Sequence, residues 1–218
     1  MHLLVSGGTG LIGSLALRHA IGHGGIDRIT ALGRRPASLD SPQLSQIACD
    51  FASLDAVADQ IQPADAAICA LGTTMRQAGS RQAFHAVDHD AVIAFARLVK
   101  TKGVRRFAIV SSVGASSRSG SFYLATKGRA EDRLGTIGFE RLVILQPSFL
   151  LGDRSEKRFG EGYATALAQL LSPLLAGPLR RYRPIEADLV ARALLRAVTD
   201  DGAAAGRFDY DGIRRLAA

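Results

Sequence analysis

Short apolar runs alternate along the chain with longer stretches in which apolar residues return every three or four positions. The first pattern marks strands buried on both faces, the second helices with one buried stripe. Strands are expected at His2-Leu3-Leu4-Val5, Arg28-Ile29-Thr30-Ala31-Leu32, Gln46-Ile47-Ala48-Cys49, Ala66-Ala67-Ile68-Cys69-Ala70-Leu71, Phe107-Ala108-Ile109-Val110 and Leu142-Val143-Ile144-Leu145. Helices are expected from Leu11 to Leu17, Leu54 to Ile61, Gln82 to Lys100 and Phe122 to Leu134. Such alternation with short connections implies a doubly wound parallel α/β sheet, with right-handed crossovers placing helices on both faces. Beyond Pro147 the alternation weakens. Gly162 to Leu171 and Ala187 to Val198 read as helices, and Arg207-Phe208-Asp209-Tyr210 as a short strand. The expected organisation is one domain over 1–218, with a core over 1–150 and a small C-terminal substrate lobe over 151–218.

Between the first strand and first helix lies Val5-Ser6-Gly7-Gly8-Thr9-Gly10-Leu11-Ile12-Gly13, with glycines at i, i+3 and i+6. A glycine-rich turn at such a junction lets the backbone approach a pyrophosphate, whose charge is met by free N–H groups and the helix dipole. Glycines also serve ordinary tight turns, so the reading rests on placement between a strand and a helix, with a second strand at the expected distance. Gly7, Thr9, Gly10, Leu11, Ile12 and Gly13 are the expected cradle of a Rossmann-type, dinucleotide-binding sheet.

The end of the second strand discriminates the nicotinamide cofactors. An acid there accepts hydrogen bonds from the adenosine ribose and repels a 2′-phosphate. Leu32-Gly33-Arg34-Arg35-Pro36 has no acid, and paired guanidiniums hold a phosphate in fork geometry. NADP(H) is the expected cofactor, with NAD(H) the alternative. Asp50-Phe51 after the third strand suits the adenine, and Leu71-Gly72-Thr73 after the fourth lies where the cofactor's ribose would pass. Asp and Gly are common loop residues, and these gain meaning only from following successive strands at one edge.

Tyr123-Leu124-Ala125-Thr126-Lys127 places a phenol and an ammonium four residues apart on one helix face, and Ser111-Ser112 ends the preceding strand. Hydride transfer to or from a carbonyl needs these groups together. A phenol with a reference pKa near 10 exchanges protons poorly at neutral pH, and a nearby ammonium favours the phenolate. A serine hydroxyl can then orient the substrate oxygen. Exposed tyrosine–lysine pairs and strand-end serines also arise by chance. It is the glycine turn upstream that tips the balance to catalysis.

Together, Gly7-x-x-Gly10-x-x-Gly13, Ser111-Ser112, Tyr123-x-x-x-Lys127 and Gln146-Pro147-Ser148 resemble the short-chain dehydrogenase/reductase superfamily. Within it, Gly33-Arg34-Arg35, the short C-terminal lobe and Pro147-Ser148-Phe149-Leu150-Leu151-Gly152-Asp153-Arg154 resemble the atypical Tat-interactive-protein-like oxidoreductases, related to the epimerase/dehydratase branch. The resemblance spans nearly the whole chain. It implies catalytic roles for Ser111 or Ser112, Tyr123 and Lys127, and a cofactor contact at Pro147. Ser112 is preferred by analogy with ordinary reductases, Ser111 being the alternative for the atypical subgroup. Gln146 stands where relatives often have arginine, and the short lobe argues against a nucleotide-sugar substrate. The function implied is an NADP(H)-dependent oxidoreductase acting on a carbonyl or alcohol. The alternatives are a non-catalytic NADP(H)-sensing regulator and, below it, an epimerase.

Charge changes this picture little. Lys+Arg 27 against Asp+Glu 20 gives a net charge of +7, with arginines scattered rather than in long runs. No recognition-helix or RNA-binding signature accompanies them, so the expected partner is a small carbonyl or alcohol and not nucleic acid. No stretch approaches the roughly 20 apolar residues that span a bilayer. The first strand begins at the N-terminus, so neither secretory signal nor transit peptide is expected, and the reading is cytoplasmic. Cys49 and Cys69 are expected as free thiols in the core. His85-Ala86-Val87-Asp88-His89 has a zinc-compatible i, i+4 spacing, yet no third ligand is apparent, and a solvated or partly buried helix face without metal is expected. Arg154, Lys157, Arg158 and Arg180 to Arg183 are expected to be solvated or to attract an anionic substrate.

Overall fold

The computed structural model describes residues 1–152 and 175–218. Seven strands form one parallel sheet: β1 (His2–Ser6), β2 (Arg28–Gly33), β3 (Leu44–Ala48), β4 (Ala66–Cys69), β5 (Arg106–Val110), β6 (Arg141–Leu145) and β9 (Gly206–Phe208). Their order is β3-β2-β1-β4-β5-β6-β9, which reverses between β1 and β4. Two short strands, β7 (Leu150–Leu151) and β8 (Ile185–Glu186), pair in parallel apart from this sheet. Because every strand of the sheet points the same way, all their C-terminal ends lie at one edge. Ligands of open α/β sheets bind at that edge, where the strand order reverses.

Side chains alternate across the sheet and make two cores. Leu3, Val5, Ile29, Ile68, Ala108 and Val143 face α1 (Leu11–Ala20). Leu4, Leu32, Ala67, Cys69, Phe107 and Ile144 face a 3₁₀ turn (Leu54–Gln60) and α4 (Val92–Thr101). Cys49 and Cys69 are free, buried thiols of this second core.

The helix expected from Gln82 to Lys100 is divided. After α2 (Met75–Ala78), α3 (Arg81–His85) runs into a π turn (Ala86–Ala91) that leads into α4. Ser80 starts α3 by accepting from the Ala83 amide at 3.0 Å. β4 ends at Cys69 rather than Leu71; the Ala70 amide still donates to Ser6 O at 2.9 Å, and the Ala70 carbonyl lies against Gly7.

The expected lobe over 151–218 needs correction. Its helix at 162–171 lies outside the described residues, but the segment from Ala187 onward belongs to the main sheet sandwich. In α6 (Ala187–Thr199), Val190, Ala191, Leu194, Leu195 and Val198 are buried in the same core as Ala16, Leu17 and Ala20 of α1. β9 extends the sheet beyond β6. At Tyr210 the chain is already helical, since Asp209 accepts from the Gly212 amide and starts α7 (Tyr210–Ala217). The apolar face of α6 is too wide for a peripheral element. It finds its area against α1 and the sheet.

Candidate functional site

The turn after β1 shows why glycine is required at two positions. Gly7 has φ +79°, and a Cβ there would meet Ala70 O at 2.4 Å. A Cβ on Gly13 would lie 2.1 Å from Gly7 O. Gly10 differs: its φ is −80°, and a Cβ would meet only Gly7 O, at 3.3 Å. It leaves space outside rather than packing inside. Gly10 caps α1 without a side-chain hydrogen bond. The first amides of the helix, beside exposed Thr9 and half-buried Leu11, therefore present orphan donors at the reversal of strand order. Ile12 and Gly13 are buried beneath and hold the turn. This cradle fits a pyrophosphate.

Arg34 and Arg35 are exposed just past β2 and make no ion pair among the described residues. Past β3, exposed Asp50 accepts from the Ala52 amide at 3.0 Å, and Phe51 is buried edge-on against Phe95. Past β4, Leu71 is half-buried, Gly72 exposed and Thr73 half-buried. Thr73 is held by its amide, which donates to Asp88 Oδ2 at 2.8 Å.

That Asp88 is the residue sequence reasoning missed. It projects inward from the π turn, and its Oδ1 lies 2.7 Å from Lys127 Nζ, off the ideal hydrogen-bonding direction. The carboxylate is fully buried and the ammonium nearly so. Burial alone pulls the Lys127 pKa down, but the charge of Asp88 and the adjacent Tyr123 oxygen outweigh it, and the net shift is upward. Lys127 is a fixed cation. A Cβ on Gly72 would lie in ordinary contact with Asp88 Oδ1 at 3.5 Å and Lys127 Nζ at 3.6 Å, so the exposed loop sits directly over the ion pair.

Tyr123 lies one turn before Lys127 on α5 (Phe122–Gly135). Its half-buried ring packs on Phe84, centroids 5.3 Å apart, and its hydroxyl has no hydrogen bond among the described residues. Close packing of α5 depends on Gly128, where a Cβ would strike Ser116 backbone at 2.2 Å.

The two serines after β5 part company. Ser111 is buried, and its Oγ donates to Glu131 Oε1 at 2.5 Å. Glu131 also accepts from Gln146 Nε2 at 2.9 and 3.0 Å and from Arg207 Nε at 2.7 Å. Gln146 thus has a donor's role, and the guanidinium of this network comes from β9. Ser112 is half-buried, and its hydroxyl has no partner among the described residues. Pro147 is buried, and its carbonyl accepts from the Val113 amide at 3.0 Å, tying the ends of β5 and β6 together.

Glu131 and Arg207 also escaped the sequence reading. The acids left a trace. Asp88 falls four residues after Phe84 and four before Val92, both buried, and Glu131 falls four after buried Lys127. An acid on a buried stripe needs a partner. Among the basic residues of the tail, Arg180 pairs with Asp211 at 3.0 Å, Arg181 lies over the Tyr182 ring, and Arg183 Nε donates to Leu175 O. Arg154, Lys157 and Arg158 lie outside the described residues.

A family model described as NAD(P)H-binding matches residues 7–201. The rat protein HTATIP2 is 35% identical over 165 residues, covering 74% of this chain and 68% of its own. The mitochondrial protein FMP52 of Eremothecium gossypii is 35% identical over 205 residues, covering 92% and 90%. Among solved structures, UDP-glucose 4-epimerase from Thermotoga maritima superposes with a TM-score of 0.71 at 14% identity, over 100% of this chain and 81% of that one. The Bordetella bronchiseptica enzyme WbmH in complex with NAD+ does so with 0.71 at 18%, over 99% and 78%. These two show a shared Rossmann-like fold. The expectation of a cytoplasmic protein is overturned here, since FMP52 relatives from several fungi are named mitochondrial. No helix among the described residues is long and apolar enough to cross a membrane.

Proposed function

The chain belongs to the NAD(P)H-binding family that includes HTATIP2 and the FMP52 proteins, and from that premise we propose an NADP(H)-dependent oxidoreductase interconverting a carbonyl and an alcohol. The observation that carries this reading is a half-buried, unbonded phenol one helical turn from a lysine fixed as a cation. When bound, the nicotinamide supplies the hydride donor or acceptor. Tyr123 gives or takes the proton at its phenolic oxygen. Lys127 sets its positive charge one turn from the phenol and has donors to spare for the cofactor's ribose. Asp88 holds that ammonium and, through the Thr73 amide, the loop above it. Ser112 donates to the substrate oxygen, because Ser111 is committed to Glu131.

The turn from Gly7 to Gly13 holds the pyrophosphate with backbone amides. Arg34 and Arg35, exposed and without carboxylate partners among the described residues, hold a 2′-phosphate. One observation favours the rival reading of a non-catalytic NADP(H)-responsive binding protein. Asp88 offsets much of the Lys127 charge and so weakens its pull on Tyr123.

The deciding experiment is a screen of aldehydes, ketones and quinones with NADPH and NADH, followed by absorbance. Tyr123→Phe is then expected to lower turnover by about 10²–10⁴-fold with NADPH affinity retained. Unchanged turnover would remove the phenol from the chemistry. Absence of any turnover, with NADPH altering affinity for a protein partner, would favour the rival.

A further inference from the structure

One cluster of metal-ligating side chains on the outer face of the α3–α4 segment has no part in the proposed chemistry. His85 closes α3, and His89 and Asp90 lie in the π turn that follows. His85 Nδ1 is 3.1 Å from Asp90 Oδ2, and His89 Nδ1 is 2.7 Å from Asp90 Oδ1. The imidazole centroids are 4.6 Å apart. A potential ligand atom from each of the three residues lies within 4.8 Å of the other two.

The π turn creates the third ligand. Residues i and i+4 share a face on any α-helix, so the two histidines would meet there too. Residue i+5 would then lie about 140° around the axis from residue i. A turn closed at i+5 is wider and returns that residue toward the face of residue i. Asp90 therefore joins His85, although α-helical spacing separates them. The same turn points Asp88 inward to Lys127, so one local irregularity serves two clusters.

We propose that His85, His89 and Asp90 bind a divalent transition-metal ion of the zinc class. Two imidazoles and a carboxylate suit Zn²⁺, Co²⁺, Ni²⁺ or Cu²⁺ better than Mg²⁺ or Ca²⁺, which prefer all-oxygen sites. Bonds of about 2.0–2.2 Å place ligand atoms of one tetrahedral ion roughly 3.4 Å apart, near the separations above. A small rotation of the Asp90 carboxylate, with each neutral imidazole carrying its proton on Nε2, converts the hydrogen-bonded triad into a coordination set. The side chains of His85, His89 and Asp90 are 35%, 22% and 59% exposed. They border two open grooves of about 610 and 330 Å³. An ion reaches them directly and keeps free coordination positions. Arg97, Arg129 and Arg133 line the larger groove; their charge opposes a cation and favours water or an anion as the remaining ligand.

The test uses the full chain, stripped with a chelator and titrated with Zn²⁺ by calorimetry and with Co²⁺ by its visible d–d absorption. Uptake of one ion with a Co²⁺ band is expected, and Mg²⁺ should not compete. His89→Ala and Asp90→Asn should each weaken Co²⁺ by at least about 10-fold. The double variant His85→Ala/His89→Ala should lose the band. His19→Ala, on α1, whose imidazole bonds Asp188 and not this cluster, should leave the Co²⁺ affinity unchanged. These surface changes leave the core intact, and an unaltered circular dichroism spectrum verifies the fold of each variant. A wild-type chain that takes up no Co²⁺ overturns the proposal, and so does undiminished affinity in the double variant.

Discussion

The turn after β1 and the tyrosine–lysine corner of α5 lie at the same edge of the sheet and are made of different material. The turn is backbone: Gly7 and Gly13 pack against carbonyl groups, and the ligand-facing groups are amides at the start of α1. The corner is side chain: a buried ion pair, a fully buried Glu131 with three donors, and a phenol left free. A backbone site is specified by what must be missing, and a single Cβ ruins it. A side-chain site is specified by partners that can come from anywhere in the chain. Asp88 reaches Lys127 from 39 residues away (127 − 88), and Arg207 reaches Glu131 from 76.

The sharpest way to break this comparison is at the glycines. Gly13→Ala should leave little folded protein, because backbone rather than a flexible side chain occupies the space. Gly10→Val should fold and yet lose NADPH, since its Cβ would press only on Gly7 O, at 3.3 Å, and the rest of the side chain would cover the amides at the start of α1. Circular dichroism and calorimetric titration of the two variants test this together. A Gly13→Ala chain of normal stability would mean the backbone there has freedom to shift.

Next in size is the ion pair. Breaking a buried pair by removing one partner costs about 3–5 kcal/mol, so Asp88→Asn should lower the denaturation midpoint markedly. The pH dependence should also reverse. In the wild type, Lys127 titrates above its ordinary 10.5, so its contribution is intact below that pH and is lost as pH rises through the folded value. In Asp88→Asn, burial, the largest influence on Lys127, is opposed only by Tyr123 and Cys69, and the folded pKa should fall. The unfolded chain then binds more protons, and stability should rise as pH approaches 10.5. Urea denaturation at several alkaline pH values measures both slopes. Slopes of the same sign in the two chains would dissolve the pair as a stabilising unit.

The smallest effect sharpens the contrast from the other side. On the proposed reading, cofactor choice at this edge rests on exposed side chains, not on the cradle. Arg34→Ala or Arg35→Ala should weaken NADPH by about 10- to 100-fold, the worth of a charge-assisted hydrogen bond of roughly 1.5–3 kcal/mol. NADH affinity should hardly move. Equal affinity of the unmodified chain for the two cofactors would remove the arginines from the choice.

The six strands of the first 145 positions were legible to within two residues, and the helices less closely, because a buried parallel strand and an amphipathic helix leave different periodicities. The glycine turn, Tyr123, Lys127 and the strand-end residues could be placed at one edge for the same reason: parallel strands align their C-terminal ends. Reading faltered where periodicity is silent. The π turn is invisible to a count based on 3.6 residues per turn, so no third ligand is apparent beside His85 and His89, and Asp88 passes unnoticed. The fate of α6 was misread because a stripe shows that a face is buried but not against what.

By itself, then, the sequence determined the sheet, its ligand edge and the cradle, since these follow from local hydrophobic period and from glycine's missing Cβ. Tertiary structure alone decided which serine is free, which acid holds the lysine and which arginine serves the buried glutamate. Those choices are made by charges that cannot be buried alone, and the partner that satisfies each is whichever residue the fold brings within about 3 Å.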